Sequence, residues 1–421
     1  MHRSYKHPYP EEVCRNKEEA RIKAEKAARR ERRAAALSGT GVRYRHSLLL
    51  LRPAAHSACT QVMAPPTPVA VPATPVAFLF PGQGSQAVGM LQSCKDLPAV
   101  ATMLATAKRV LGYDLLSICV DGAFLRALSA RLRRLCADGA AAGPKSKLDD
   151  TVYAQPALFV AGLAAVEKLR SQDARAADGA SACAGLSLGE YTALVHAGAL
   201  SFEDGLKVVK VRAESMAAAA AAGQPHGMLS VVGLADSDLT KICDAAAAAA
   251  GPGCVGARRG VRSLATLTRA ASRAVCSVAN YLFPQGRVVS GDKAVLEDVL
   301  AKVTAAGALQ AKMLAVSGAF HTSRMASAAE ALKSVLAEVS FQQPRIPVYS
   351  NVTGEPFPDA AAIPALLARQ LTEPVMWEDS IKALVGAGKN QLYELGPGQQ
   401  IKAMVKRIDP NVWSATKNVN P

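Results

Sequence analysis

The sequence GLSLG at residues 185–189 constrains the fold of this chain more than any other feature. It follows a run of small residues at 181–186 that predicts a strand, and it opens an apolar-periodic stretch at 188–197 that predicts a helix. A G-x-S-x-G sequence between a strand and a helix is typical of a nucleophile elbow, where small residues permit a tight turn. The pattern therefore predicts an α/β domain in which the hydroxyl of Ser187 projects from the sheet.

The rest of the sequence predicts one large α/β unit with a smaller unit inserted into it. The first clear strand is Val76–Phe80, and residues 227–316 follow the order β-α-β-β-α-β, which is the ferredoxin-like unit. The predicted fold class is therefore α/β, with an α/β-hydrolase-like large subdomain and an inserted ferredoxin-like small subdomain. The predicted boundaries are 76–226 and 317–415 for the large subdomain and 227–316 for the small one.

Individual elements follow from the same periodicities. In the small subdomain we expect strands at 228–232, 275–282, 287–290 and 310–315, and helices at 237–248 and 293–305. In the large subdomain we expect a helix at 202–216, helices around 359–371 and 380–387, and strands near 346–350 and 391–395.

The positive charge of the chain is confined to three stretches. The formal net charge is +15, of which residues 1–75 carry +8, residues 123–143 carry +3 and residues 256–274 carry +5. The remaining chain carries −1, so the main argument for a nucleic-acid partner disappears. Since no apolar run reaches the roughly 18–20 residues of a membrane helix, we expect no membrane partner either.

These three basic stretches are predicted to lie outside the folded core. We interpret residues 1–75 as a basic leader with a Pro-rich linker, which is typical of an organelle transit peptide. The six glutamates of this segment are unusual in a transit peptide. The alternative is a disordered basic tail or a gene-model extension. We expect residues 123–143 and 256–274 to be poorly ordered insertions, with translated intron as one origin, or else genuine surface helices.

Cysteine and histidine spacing gives no sign of a metal site. The nine cysteines and seven histidines contain no CxxC pair and no zinc-like spacing. We therefore predict no metal and a reducing compartment.

A serine needs a base to become nucleophilic near neutral pH, and histidine is the usual one. Outside the leader the chain has His196, His226 and His321. His196 lies on the elbow's own helix and should point away, and His226 lies in an Ala/Gly-rich loop. His321 follows a strand where the inserted subdomain rejoins the core, above the cleft where ligands prefer to bind. We favour His321 as the base, with a structural histidine as the alternative.

Arg212 is the third informative residue. On the helix predicted at 202–216 it shares an apolar stripe with Val208 and Met216, and an inward charge needs an anionic partner. One interpretation is an ion pair with a neighbouring Asp or Glu. The other is a fork that binds a carboxylate substrate through two hydrogen bonds.

Nine motifs in order and in register resemble the malonyl-CoA:acyl-carrier-protein transacylase family. The resemblance extends from about Val76 to Ile408, apart from the two insertions. The motifs are FPGQGSQ (80–86), GLSLGEYTALVHAGAL (185–200), VKVRAESM (209–216), VANYLFPQG (278–286), SGAFHTSRM (317–325), VYSNVTG (348–354), ARQL (368–371), PVMW (374–377) and YELGPG (393–398).

This resemblance implies catalytic roles for particular residues. Ser187 would be the acylated nucleophile, and His321 would be its general base and then its general acid. The family orients this histidine through a backbone carbonyl, which falls on Gln370. The amides of Gln83 and Leu188 would form the oxyanion hole.

The resemblance also implies the substrate site and the partners. Arg212 would bind the malonate carboxylate, Asn280 would line the pocket, and Phe320 would crowd an α-methyl group. Malonyl-CoA and acyl carrier protein would be the substrates of type II fatty-acid synthesis, with no cofactor, and we expect a monomer. Leu186, where many bacterial members have His, is similar to plant-type members and favours a chloroplast over a mitochondrion.

Two other functions remain open from the sequence. A serine hydrolase or thioesterase would use the same elbow, but it would need an acidic third member and would have no use for Arg212. A non-catalytic homologue that only binds the carrier protein is the other alternative, if the insertions abolish activity.

Overall fold

The computed structural model describes residues 74–120, 144–250, 274–316 and 318–421. The leader predicted at 1–75, apart from residues 74 and 75, lies outside the described residues. So do the insertion predicted at 123–143 and, except for Ala274, the one predicted at 256–274.

The large subdomain is built on a parallel sheet that brings the elbow to one edge. With strands numbered in chain order, its members are β1 (Val76–Phe80), β2 (Ala182–Gly185), β7 (Val348–Tyr349), β8 (Gln391–Leu395) and β9 (Lys417–Val419). The spatial order is β7-β2-β1-β8-β9, and every pairing is parallel. Since parallel strands end at one edge, Ser187 at the end of β2 lies where ligands bind in open α/β sheets.

The small subdomain has an antiparallel sheet. Its strands are β3 (His226–Val232), β4 (Cys276–Phe283), β5 (Gly286–Asp292) and β6 (Gln310–Met313), in the spatial order β4-β5-β3-β6. One helix follows β3 and another follows β5. This is the predicted β-α-β-β-α-β order, and together with the large subdomain it confirms the predicted fold class.

Helices cover the faces of both sheets. In chain order they are α1 (Pro98–Leu111), α2 (Pro144–Asp149), α3 (Thr151–Gln172), α4 (Ala174–Asp178), α5 (Leu188–His196), α6 (Phe202–Ala221), α7 (Asp236–Ala249), α8 (Lys293–Ala305), α9 (Ala326–Leu336), α10 (Ile363–Gln370), α11 (Trp377–Gly386), α12 (Gln400–Ile408) and α13 (Pro410–Trp413). A 3₁₀ turn at Ser323–Met325 precedes α9.

Strand β1 shows why its sequence is apolar throughout. Phe78 and Phe80 pack into the larger core among the helices, whereas Ala77 and Leu79 pack on the opposite face with the fully buried Trp377. Because both faces of a parallel sheet are covered, its central strand reads as a continuous apolar run rather than an alternating one.

Helix α3 is long and apolar, and it is a core helix. Within the described ranges it is the helix whose 22 residues could cross a membrane by length and composition. In the window that meets this criterion, however, 78% is buried inside the protein. Core helices of soluble proteins pass the same test, so the criterion alone is weak evidence for a membrane span.

Some element bounds differ from the sequence prediction. His226, which we expected in a loop, is the first residue of β3 and pairs with Asp292 of β5. The loop assignment was wrong because the backbone pairing with β5 begins two residues before Met228, where the apolar run starts. Strand β6 ends at Met313 rather than at residue 315, and α6 runs on through an alanine-rich stretch to Ala221.

Candidate active site

Ser187 lies on a strained turn between β2 and α5. Its φ is 51° and its ψ is −99°, a conformation that costs a non-glycine residue about 1–3 kcal/mol. The flanking glycines are required by close contacts: a Cβ on Gly185 would lie 1.9 Å from the Gly189 carbonyl, and one on Gly189 would lie 2.1 Å from the Phe80 oxygen. The strand, the turn and the helix therefore form the nucleophile elbow that the sequence predicted.

His321 is in hydrogen-bonding contact with this serine. Ser187 Oγ lies 2.9 Å from His321 Nε2, and His321 Nδ1 lies 2.7 Å from the carbonyl oxygen of Gln370. A carbonyl oxygen can only accept, so Nδ1 carries the proton and donates it to Gln370. The free lone pair of Nε2 then faces the serine hydroxyl, which is the arrangement of a general base.

Burial keeps this imidazole neutral. The pKa of His321 is lowered to about 4, chiefly by burial and then by the positive charge of Arg212, while the hydrogen bond to Gln370 opposes the shift. At neutral pH the ring is therefore unprotonated and can accept a proton. His196, in contrast, lies against the rings of Phe78 and Phe80.

Arg212 is a buried cation whose partners are neutral. Its Nη1 donates to Gln155 Oε1 at 2.7 Å, and its Nη2 donates to Gln370 Oε1 at 2.9 Å and to Ser187 Oγ at 3.0 Å. The guanidinium carbon lies 5.1 Å from the centre of the Tyr191 ring.

The ion-pair interpretation of Arg212 does not hold. Among the ion pairs of the described residues none involves Arg212, although the charge of Glu190 attracts it without forming one. The Arg212 Nε has no hydrogen-bond partner although it is buried. Burial lowers the pKa of Arg212, since the charged form is poorly solvated there. An anionic ligand would supply what this guanidinium lacks.

A cavity of about 650 Å³ brings these groups together between the two subdomains. Its lining from the large subdomain includes Gln83, Ser187, Leu188, Arg212, Phe320 and His321, and its lining from the small subdomain includes Asn280. Ser187, His321 and Arg212 thus face one cavity rather than three separate ones.

The two residues expected to form the oxyanion hole lie next to the elbow. Leu188 is the first residue of α5, so its amide is among the unpaired N–H groups at the helix start. The segment that carries Gln83 passes very close to the elbow, since a Cβ on Gly82 would lie 2.5 Å from the Leu186 oxygen.

Sequence reasoning assigned no role to three residues of this site. Asn351 Oδ1 accepts from the Ser187 amide at 2.6 Å, and Asn351 Nδ2 donates to the Gly185 oxygen at 2.7 Å. Glu190 is fully buried in α5 and accepts from the backbone N–H of Asn351 at 3.0 Å. Gln155 holds Arg212. Gln155 and Glu190 are buried polar residues in helices with many apolar residues, which was the available signal for them, whereas Asn351 lies in a turn after β7 and gave no such signal.

Fold and site together define an α/β acyltransferase with a serine–histidine pair and a buried arginine. In agreement, residues 77–255 match the family model "Acyl transferase domain". The chain is similar to the human mitochondrial malonyl-CoA-acyl carrier protein transacylase, with 39% identity over 347 residues that cover 82% of this chain and 79% of the relative.

Solved structures agree with these relationships. The transacylase structure from Xanthomonas oryzae is similar with a TM-score of 0.67 and 33% identity, covering 82% of this chain and 95% of that one. Another, a malonyl-transacylase in complex with a type II polyketide acyl-carrier protein, has a TM-score of 0.66 and 30% identity, covering 82% and 94%. The chain belongs to the malonyl-CoA–acyl carrier protein transacylase family.

Proposed function

We propose that this chain transfers the malonyl group of malonyl-CoA to the phosphopantetheine thiol of acyl carrier protein, through an ester on Ser187, in fatty-acid biosynthesis. The observation that carries the proposal is the shared cavity, where a serine–histidine pair meets a guanidinium that has no carboxylate partner among the described residues. Malonyl-CoA supplies a thioester for the serine and a free carboxylate for the guanidinium.

In the first half-reaction Ser187 is acylated. As Oγ attacks the thioester carbonyl, His321 Nε2 takes the hydroxyl proton, and the amides of Gln83 and Leu188 stabilise the oxyanion. When the carbon–sulfur bond breaks, the imidazolium returns this proton to the sulfur, and coenzyme A leaves as a thiol. The carbonyl of Gln370 keeps Nδ1 protonated throughout.

The second half-reaction reverses these roles. The thiol of the carrier protein gives its proton to His321 and attacks the ester carbonyl. The carbon–oxygen bond then breaks, and Ser187 Oγ recovers the proton. Neither half-reaction requires a metal or a redox cofactor, and we propose none; undiminished turnover in a chelator would agree, and a loss restored by a metal would not.

Arg212 selects the acyl group. Its fork binds the free carboxylate, while an uncharged acyl group leaves the buried fork without a carboxylate bonded to it. Asn280 lines the same cavity, and Phe320 beside the base disfavours an α-methyl group, hence methylmalonyl.

We further propose a monomeric enzyme in an organelle. The human relative is named as mitochondrial, which favours the mitochondrial alternative over the plant-type plastid that Leu186 and the basic leader suggested. Residues 1–75 fused to a fluorescent protein would decide between the organelles, and light scattering of the purified chain would test the monomer.

The central test is to trap the acyl-enzyme. Purified protein mixed with malonyl-CoA should gain the mass of one malonyl group on the peptide containing Ser187, and S187A should gain none. Adding phosphopantetheinylated carrier protein should discharge the adduct onto the thiol. Rapid discharge to water alone would instead indicate a hydrolase, and the lack of any adduct would indicate a non-catalytic binding homologue.

A further inference from the structure

The carboxyl group of Glu190 is buried next to the reacting groups, yet the proposed reaction does not use it. It is fully buried in α5, three residues after Ser187, and makes no hydrogen bond to His321 among those recorded for either residue. A buried carboxylate must be compensated by hydrogen bonds or by opposite charge.

Hydrogen-bond donors compensate this carboxylate at each of its two oxygens. Glu190 Oε1 accepts from the backbone N–H of Asn351 at 3.0 Å, and Oε2 accepts from Gln370 Nε2. Both donors belong to segments more than 150 residues away in the chain. Arg212 contributes a favourable charge interaction without an ion pair.

These two partners hold the backbone of the nucleophile from both sides. Asn351 Oδ1 accepts from the backbone N–H of Ser187 at 2.6 Å, and Gln370 Nε2 donates to the backbone carbonyl oxygen of Ser187 at 2.9 Å. The strained conformation of Ser187 is therefore held by two side chains. Glu190 anchors the residues that carry them, Asn351 through its backbone N–H and Gln370 through its side-chain amide. Gln370 also orients His321 through its carbonyl.

We infer that Glu190 is a positioning residue for malonyl transfer, which sets the Ser187 Oγ to His321 Nε2 geometry by anchoring Asn351 and Gln370. This inference rests on the proposed function. An acceptor suits the position, because the Asn351 backbone N–H and the Gln370 Nε2 that face the carboxyl oxygens both donate. An amide at residue 190 would turn an NH₂ group toward one of them, and the elbow would shift relative to the base.

The groups around Glu190 also affect the protonation of its carboxyl group. Burial raises the pKa of Glu190 to about 7, while the Asn351 amide, Gln370, Arg212 and the Ser350 hydroxyl lower it. These groups oppose the protonation that burial favours, and they bring the pKa no lower than about 7. A protonated carboxyl would present a hydrogen to a site made of donors.

The test is a comparison of E190Q with the wild-type enzyme by rapid-quench malonylation. We expect the rate constant for malonylation of Ser187 to fall by about 10- to 100-fold, because small misplacements of reacting groups have effects of that size. The KM for malonyl-CoA should change less than about threefold by the same reasoning, since Gln155 still holds Arg212. Loss of stability alone would not produce this split.

A second buried glutamate provides the matched control. Glu378 accepts from Arg287 Nη1 at 2.8 Å, is 6% exposed and does not line the cavity. E378Q should lower the midpoint of thermal unfolding and leave the malonylation rate unchanged below that midpoint.

If E190Q does not fold, E190D carries the test. Its shorter carboxylate keeps the charge but cannot reach both donors, so the malonylation rate should again fall with KM little changed. A folded E190Q or E190D that is malonylated at the wild-type rate overturns the inference while leaving the proposed function intact. A wild-type protein that is not malonylated refutes the proposed function itself.

Discussion

Replacing Arg212 by alanine should convert a malonyl-selective enzyme into an unselective one. The guanidinium is 1% exposed and forms hydrogen bonds with Gln155, Gln370 and Ser187, all of which are neutral. In the proposed complex the malonyl carboxylate provides the missing negative charge. The variant removes that attraction, whereas an acetyl group never used it.

The magnitude follows from the hydrogen bonds that a fork can make. Two bonds between a guanidinium and a carboxylate contribute about 1.5–3 kcal/mol each, or about 3–6 kcal/mol together. At about 1.4 kcal/mol for each factor of ten, kcat/KM for malonyl-CoA should fall by about 10²- to 10⁴-fold. For acetyl-CoA the change should stay within about tenfold, because an unpaired buried charge is removed at the same time.

The assay is the transfer of malonyl or acetyl groups from coenzyme A to the carrier protein, followed by mass spectrometry. The ratio of the two kcat/KM values isolates the carboxylate, since any general disturbance of Ser187 affects both substrates alike. R212K, which keeps the charge but loses the fork, should give an intermediate ratio. Equal losses for malonyl and acetyl transfer in R212A would refute the reasoning.

Three further predictions concern stability and selectivity. Burial lowers the pKa of His196 to about 4, so between about pH 6.5 and pH 4 the unfolded chain binds a proton that the folded chain does not. The free energy of unfolding should therefore decrease by up to about 3 kcal/mol as the pH is lowered through this range. Urea midpoints at pH 7 and pH 5 should differ less in H196L than in the wild type, and equal differences would contradict this. Gly185→Ala places a Cβ 1.9 Å from Gly189 and should lower the free energy of unfolding in urea by about 1–3 kcal/mol or more. Gly386→Ala, with nothing within 4 Å of the added atom, should leave that free energy nearly unchanged. Similar losses at the two positions would show that the elbow is not tightly packed. Phe320→Ala should raise the ratio of methylmalonyl to malonyl transfer by about tenfold, measured by competition between the two coenzyme A esters, and an unchanged ratio would remove Phe320 from the selectivity argument.

Local patterns were sufficient where the determinants of an element lie within the element. Strand β1 ends where an apolar run meets Pro81, and α8 has the bounds Lys293–Ala305 predicted from its periodicity. The start of β3 was missed, since His226 is there through its pairing with Asp292. The residues next to His226 carry no pattern that predicts this pairing.

The same distinction separates the parts of the site. Ser187 was found from a local motif, and Arg212 from a charge in an apolar stripe. The functions of Asn351 and Glu190 depend on contacts 161 to 164 residues apart in the chain, which one sequence cannot show. Only the fold brings these two residues to the elbow.

The neutral partner of His321 follows from the presence of Arg212 in the same cavity. In a serine hydrolase a carboxylate orients the histidine, but here a carboxylate in that position would lie close to the guanidinium and compete with the substrate for it. Gln370 avoids this conflict, because its carbonyl accepts from His321 and its side-chain oxygen accepts from Arg212 without adding charge. The buried carboxylate of Glu190 is occupied by Asn351 and by the Gln370 amide instead. The guanidinium therefore stays available for the one carboxylate that the reaction must recognise.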